Sequence, residues 1–360
     1  MSRFEQLGAG IVGTGFMASM HADALRRLGV RVVAVAGRDL ERARSVCRAR
    51  ALPEPVATVA ELVALPDVDV VHVTSPNHLH GEHVRAALAA GKHVICEKPL
   101  AQTVEEADEL VALAAASNRI CAVNFNNRFH VQVQELRSLQ ASGALGPVHA
   151  VHGSYLQDWL LRDGDWNWRV DAALGGPLRV VGDIGVHWLD LAEHAAGVRV
   201  SAVFAETARL HERRGGRTVD TEDAAYVLLR FGGGARGSLT LSQVSAGRLN
   251  ELTIQVDGTL GAAAWASARA EELWVGRRDT PAELHSRAQR ATVDGAPPHL
   301  PPGHPEGLPD TFVRLYAAVY GAVLGDETDY PTFADGRRAV TLTAAIGRSA
   351  AEGRWVPIAD

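Results

Sequence analysis

Cysteine is scarce in this chain. Cys47, Cys96 and Cys121 are the only three in 360 residues. Cys96 and Cys121 close and open apolar, strand-like runs, where a thiol is expected to be buried as a small hydrophobe. No zinc-finger spacing is formed. The strings H-E-x-x-H and H-x-x-E-H are absent too; His80-Gly81-Glu82-His83 misses both spacings, so no metal is expected. Basic residues form no run longer than three and the formal net charge is −6, so nothing invites nucleic acid. No unbroken apolar run reaches the length of a membrane span, and no membrane partner is expected. The opening MSRFEQLGAGIVGTG lacks a charged leader, an apolar stretch and a small-residue cleavage site, so a cytoplasmic location is expected. Internal repeats and low-complexity tails are missing as well.

What remains is an ordinary globular balance, 47% apolar and 22% charged, with length enough for two domains. Residues 1–124 alternate short β-branched runs with helical stretches, the pattern of a parallel sheet covered by helices. GIVG, RVVAVA (31–36), VDVVHVTSP (68–76), KHVICE (92–97) and RICAVN (119–124) read as its strands. Helices are expected over 16–28, 39–50 and about 80–90, with another opening after Thr103, which forms a capping box with Glu106. In residues 125–360 the rhythm changes. VHAVHGSYL, SAVFAETARL, DAAYVLLRF, ARGSLTLSQVS and LTIQVDG follow one another between Gly-rich turns, as in an antiparallel sheet with one face partly open. The expected fold is therefore α/β, a doubly wound dinucleotide-binding domain followed by an α/β domain with a large, mostly antiparallel, open-faced sheet. Residues 294–310, DGAPPHLPPGHPEGLPD, are too rich in Pro and Gly for regular structure and read as a long loop, a candidate lid carrying His299 and His304.

GIVGTGFMASMHADAL puts Gly13, Gly15 and Ala18 in G-x-G-x-x-A spacing after a strand and at the opening of a helix. Gly13 permits the tight turn, and Gly15 lets the backbone approach a pyrophosphate. Ala18 keeps the helix near its strand, and the first turn at Phe16 and Met17 offers free N–H donors. At the end of the second strand, Gly37 stands where an acidic residue would bind the ribose hydroxyls of NAD, and Arg38 follows. A guanidinium pairs with a 2′-phosphate that a carboxylate would repel, so NADP is favoured over NAD. Arg38 stacked on adenine would accept either. Asp39 is expected to cap the next helix.

In GDIGVHWLDL, Asp183, His187 and Asp190 fall on one face of a helix, at i, i+4 and i+7. Such a face is a proton-transfer pair, a metal site or a solvated surface, and Asp190 is either a supporting partner or a buried structural carboxylate. Upstream, YLQDWLLRDGDWNWRVDAALGG gathers Trp159, Trp166 and Trp168, three of the seven tryptophans, with Asp158, Asp165, Asn167 and Arg169. Aromatic faces cover the C–H faces of a sugar ring while polar groups satisfy its hydroxyls. Tryptophans that seal a domain boundary are the plainer alternative. Asn126 and Tyr155 are further candidates for contact with substrate.

The Gly-rich start, TSPNHLH (74–80), EKP (97–99) and the Asp-x-x-x-His pair, in this order, resemble the Gfo/Idh/MocA family of oxidoreductases. The resemblance covers nearly the whole chain. It implies a nicotinamide cofactor and association through the open sheet face, as a homodimer or homotetramer. It places Ser75, Pro76 and Asn77 by the cofactor, adds Glu97 and His80 beside that loop, and implies a cis bond between Lys98 and Pro99. It assigns Lys98, Asp183 and His187 to catalysis. Ala18 in place of the third glycine and Gly37 in place of the acid depart from the family pattern. Histidine suits the transfer of a carbinol proton while a hydride leaves the same carbon. His187 is the expected base, Asp183 a hydroxyl ligand or a stabiliser of the imidazolium, and Lys98 the stabiliser of the alkoxide. The expected activity is NAD(P)-dependent oxidation or reduction of a sugar, inositol or related polyol. Two alternatives are a relative that retains its nicotinamide to cleave glycosides and a non-catalytic, dinucleotide-responsive regulator.

Overall fold

The computed structural model describes residues 2–287, 300 and 303–359. The chain divides into two compact units, residues 1–126 with 309–340, and residues 127–308 with 341–360.

In the first unit, strands β1 (Gly8–Val12), β2 (Arg31–Ala36), β3 (Val70–Val73), β4 (His93–Cys96) and β5 (Cys121–Val123) form one parallel sheet in the order β2-β1-β3-β4-β5. β1, β3 and β5 are buried along their whole length, as expected for strands covered on both faces. The intervening helices are α1 (Phe16–Leu28), α2 (Leu40–Ala49), α3 (Val59–Ala64), α4 (His80–Ala89) and α5 (Val104–Ser117). α1 buries Ala18, Ala22 and Leu25, spaced for one helical face, and ends at Gly29, whose φ of 79° only glycine adopts readily. Thr103 accepts from the Glu106 N–H at 3.2 Å and so caps α5.

The second unit begins with α6 (Val131–Ala141) and β6 (Val148–Leu156), followed by α7 (Ala172–Gly175), α8 (Val186–Ala196) and β7 (Val200–Ala208). A two-residue ribbon, β8 (Arg213–Arg214) and β9 (Arg217–Thr218), precedes β10 (Ala224–Phe231), β11 (Arg236–Ser242), β12 (Glu251–Gly258), β13 (Ala262–Ala266), β14 (Glu272–Arg277) and β15 (Thr280–Ser286). The sheet is completed by β16 (Val356–Pro357), giving nine strands among the described residues in the order β15-β14-β13-β12-β6-β11-β10-β7-β16. Every pairing is antiparallel except β6 with β11, which is parallel. β10 alternates: Ala225, Val227, Leu229 and Phe231 are buried, whereas Tyr226 and Leu228 are half exposed. α6, α8 and the later turns of α10 (Phe333–Glu352) supply Leu136, Trp188, Leu191, Leu342 and Ile346 to the core with the inner-face residues.

The expected boundary after residue 124 misses a return of the chain. α9 (Leu308–Val323) and the start of α10 group with the first unit. The Val123 N–H donates to the Pro331 carbonyl at 2.9 Å, and a Cβ on Gly336 would lie 2.6 Å from Val123 Cγ2. Close packing against β5 thus holds this segment. The expected loop over 294–310 also ends early, because residues from Leu308 onward are helical. Residues 294–299, 301 and 302, with His299, lie outside the described residues; His304 is exposed, and its carbonyl accepts from Arg287. Among the described residues no helix is long and apolar enough to cross a membrane.

Candidate active site

β1 has β2 on one side and β3 on the other, so the chain reverses direction across the sheet at β1 and β3. The crevice outside the carboxyl ends of such strands is where open α/β sheets take ligands. Two loops meet there. The Thr74 N–H and its Oγ1 both reach the Val12 carbonyl, at 2.8 and 2.9 Å, and Gly13 N–H donates to Ala36 O at 2.8 Å. Gly13 has φ of 128°, and a Cβ there would sit 2.7 Å from the Thr74 carbonyl oxygen. Gly15 has open space where its Cβ would stand, and its side of the α1 N-terminus carries no side-chain cap. Phe16 is exposed and Met17 partly so. This cradle fits a dinucleotide pyrophosphate, with the first-turn N–H groups as donors. At the end of β2, a Cβ on Gly37 would lie 2.8 Å from Thr14 Cγ2. Arg38 is exposed, and Asp39 caps α2 by accepting from the Arg42 N–H at 2.9 Å.

Ser75, Pro76 and Asn77 continue from Thr74, and His80 ties them to the next loop. Its Nε2 lies 2.9 Å from the Ser75 carbonyl and its Nδ1 2.7 Å from the Pro99 carbonyl. Burial lowers the pKa of His80 against the opposing pull of these two carbonyls. The Lys98–Pro99 bond is cis, and Lys98 is partly buried. Glu97 is buried beneath it. Its carboxylate accepts from Asn124 Nδ2 at 2.5 Å, His21 Nε2 at 3.1 Å and the Lys98 N–H at 3.2 Å. Burial alone would raise its pKa, but the hydrogen bond and charge of His21, the Lys98 charge and the Asn124 amide outweigh it and bring the carboxyl to about 2.

The hydrogen bonds continue inward from Glu97. His21 Nδ1 lies 2.9 Å from His72 Nδ1, and His72 Nε2 lies 2.9 Å from the Tyr320 hydroxyl, all fully buried. Burial, then the neighbouring His21, holds His72 well below the ordinary histidine pKa. One arrangement gives every donor an acceptor: Tyr320 O–H to His72 Nε2, His72 Nδ1–H to His21 Nδ1, and His21 Nε2–H to Glu97. The Lys98 backbone is thus held by a carboxylate that is itself fixed from three sides.

In the second unit, Asp183 and His187 occupy neighbouring turns. Residues Val181–Gly185 form a π-turn that runs directly into α8. The start of this segment is anchored by Glu222, whose carboxylate accepts from the Arg179 N–H at 2.9 Å and the Val181 N–H at 3.1 Å. Arg179 and Arg214, both buried, converge on Asp223. Asp183 Oδ2 accepts from Gln243 Nε2 at 2.9 Å, and Oδ1 lies 3.3 Å from Arg169 Nε. The Arg169 guanidinium stacks on the Trp168 indole at 4.5 Å. The Tyr155 ring stands 6.4 Å from the His187 ring, and burial, then the Asp183 charge, pushes the phenol pKa up.

The oxidoreductase family with an NAD-binding Rossmann fold matches residues 7–125, and the Gfo/Idh/MocA C-terminal domain matches residues 133–264. The chain belongs to the Gfo/Idh/MocA family. It is a nicotinamide-cofactor oxidoreductase built on the two domains of that family. A levoglucosan dehydrogenase of Pseudarthrobacter phenanthrenivorans is 30% identical, with 98% of each chain covered. A trans-1,2-dihydrobenzene-1,2-diol dehydrogenase of Bos taurus is 32% identical over 71% of this chain and 72% of its own. Among solved structures, a levoglucosan dehydrogenase in complex with NADH and levoglucosan superposes with a TM-score of 0.92 at 29% identity, covering 98% of this chain and 99% of that one. An inositol dehydrogenase homologue of Azotobacter vinelandii complexed with NAD+ gives 0.89 at 28% identity, covering 99% and 98%.

For this Gfo/Idh/MocA chain, the expected common face of Asp183, His187 and Asp190 does not form. Asp183, in the π-turn, and His187 are both partly exposed, whereas Asp190 is buried in a pair with Arg128, 2.8 Å from its Nε. Asp190 is a structural carboxylate. The tryptophan-rich stretch separates by role. Trp159 donates to Gln157 at 2.7 Å and packs beside Leu160, Val170 and Val219, while Trp166 stacks on Arg217 at 4.6 Å. Asp158, Asp165 and Asn167 each accept from a nearby backbone N–H, of Gly247, Arg162 and Arg169. Asn126 belongs to the first unit, where its amide nitrogen donates to Thr311 at 2.9 Å. Gln157, Gln243 and Asn250 carry no sequence signal, and only the parallel pairing of β6 with β11 brings the two glutamines together.

Proposed function

We propose that this oxidoreductase is a dehydrogenase that oxidises a secondary alcohol of a sugar, inositol or related polyol, with Lys98, Asp183 and His187 as its catalytic residues. One observation carries this reading. Asp183 and His187, one turn apart, are both partly exposed; Asp183 stands beside a guanidinium stacked on the Trp168 indole, and the Tyr155 ring lies 6.4 Å from that of His187. Carboxylate, imidazole and phenol serve vicinal hydroxyls, and the indole serves the C–H face of a ring. His187 takes the proton of the reacting hydroxyl as its C–H bond breaks and returns it when a ketone is reduced. Asp183 orients that hydroxyl and favours the imidazolium. The Lys98 ammonium stabilises the developing alkoxide, on a backbone fixed by Glu97 and His80. The nicotinamide, when bound, accepts or supplies the hydride. Gly13, Gly15, Phe16, Met17, Arg38, Ser75, Pro76, Asn77, His80, Glu97 and Lys98 hold the cofactor, and Trp168, Arg169, Tyr155 and Asn126 take part with Asp183 and His187 in binding substrate.

NADP is the favoured cofactor in this proposal. Gly37 offers no carboxylate, Asp39 is spent on its helix, and Arg38 is exposed at the end of β2. The half-exposed Tyr226, Leu228 and Trp274 on the outer side of the sheet support a homodimer or homotetramer, which light scattering measures. Three free, buried cysteines fit a cytoplasmic enzyme.

The test is a cofactor-by-substrate screen that follows reduced-nicotinamide absorbance, with levoglucosan, L-sorbose and myo-inositol among the substrates. Turnover that falls about 10³-fold in His187→Ala, with cofactor binding intact, is expected. Undiminished turnover in that variant removes His187 as the base. Arg38→Asp is expected to reverse an NADP-over-NAD ratio of kcat/KM, and an unchanged ratio removes the role given to Arg38.

A further inference from the structure

Gln243 follows β11 and is fully buried. Its Nε2 lies 2.9 Å from Asp183 Oδ2 and 3.2 Å from Gln157 Oε1. The orientation of each amide in this cluster is forced. The Trp159 indole N–H only donates, so Gln157 turns its carbonyl toward it, at 2.7 Å. The Gln157 nitrogen then faces Asn250 Oδ1 at 2.6 Å. Gln243 faces a carboxylate and a carbonyl, so both of its amide protons are committed. Its own carbonyl oxygen is buried with no partner among the described residues, an unfavourable state for a side chain that only filled space.

We propose that Gln243 is a positioning residue: the hydrogen bonds that orient Gln157 and Gln243 direct the Gln243 amide nitrogen at Asp183 and fix the plane of that carboxylate. This rests on the reading above that Asp183 is catalytic. With Gln243 on Oδ2 and Arg169 beside Oδ1, the Asp183 carboxylate keeps one plane. The titratable and charged groups around Asp183 are Arg169, Tyr155 and His187; Glu222, with Arg179 behind it, caps the same segment.

Gln243→Glu is nearly isosteric and replaces the donor with a carboxylate beside Asp183. At pH 8 the two carboxylates repel, and kcat relative to wild type is expected to fall 10- to 100-fold with the cofactor Kd unchanged. As pH is lowered toward 5.5 the pair takes up a proton, a neutral acid donates where the amide did, and the deficit shrinks. Gln243→Leu loses a similar factor at every pH. A deficit in Gln243→Glu that is constant with pH, or no deficit, overturns the proposal, since a packing role would not depend on pH. Gln157→Leu removes the carbonyl that holds the Gln243 amide and reads the same hypothesis if the Gln243 variants do not fold. A fall of about 10-fold in kcat with the cofactor Kd unchanged is expected, and an unchanged kcat overturns it. Asp183→Asn separates the two levels. Wild-type activity in that variant sinks the catalytic reading itself, whereas lost activity there with a pH-independent Gln243→Glu sinks only the positioning role.

Discussion

At the residue scale, the protons of His21 and His72 are set by hydrogen bonds that run between Glu97 and Tyr320. Donor accounting places the His72 proton on Nδ1 and a proton of His21 on Nε2, and ¹⁵N chemical shifts of the two rings measure both directly. A His72 that carries its proton on Nε2 instead would reverse the chain. Glu97 receives three donors in a buried setting, so Glu97→Leu leaves Asn124, His21 and the Lys98 N–H without their acceptor. A loss of roughly 3 kcal/mol or more in denaturant unfolding is expected. Lys98, Asp183 and His187 stand out in the sequence because the motif order points at them. His21 and Glu97 lie within those same motifs, yet their pairing is invisible there, because it joins α1 to the end of β4 across 76 positions.

At the element scale, the strand and helix pattern is plain in the sequence wherever local rules act alone. α1 begins and ends where the glycine fingerprint and Gly29 put it, and β6 coincides with VHAVHGSYL. The π-turn at Val181–Gly185 is not plain, since apolar periodicity permits a straight α-helix through Asp183 and Asp190. Its glycines differ. A Cβ on Gly185 would lie 2.7 Å from Leu241 Cδ1 in a closed core, whereas none would meet anything within 4 Å at Gly182. Gly185→Ala is therefore expected to lower stability by about 1–3 kcal/mol through overpacking. Gly182→Ala should be neutral or stabilising by up to about 1 kcal/mol. Parallel thermal melts distinguish them. Asp223 faces the opposite demand. Burial opposes its charge, but Arg179, the Leu210 N–H and Arg214 hold its carboxyl below the usual range. Asp223→Asn removes the carboxylate that two buried guanidiniums share, and a loss of about 3–5 kcal/mol is expected.

At the scale of the whole molecule, buried neutral histidines make the fold sensitive to acid. Burial lowers the pKa of His72, His80 and His83 below the ordinary value of 6.5. The unfolded chain therefore binds protons that the folded chain refuses. This stability is fully present above pH 6.5 and is lost as pH falls, by about 1.4 kcal/mol per pH unit for each histidine that stays neutral. Glu97 adds a second window, with stability lost as pH drops from 4.5 toward about 2. Unfolding free energies between pH 7.5 and 4 measure the first slope, and a flat profile would contradict it. The sequence by itself determined the α/β class, the cofactor turn and the three catalytic candidates, because tight turns, strand alternation and short motifs act over a few residues. Only the tertiary structure decided that residues 309–340 return to the first unit, that Asp190 belongs to Arg128 and that Gln243 belongs to Asp183. Those choices depend on which distant backbones pair and which buried charge finds a partner, and neither is written in local spacing.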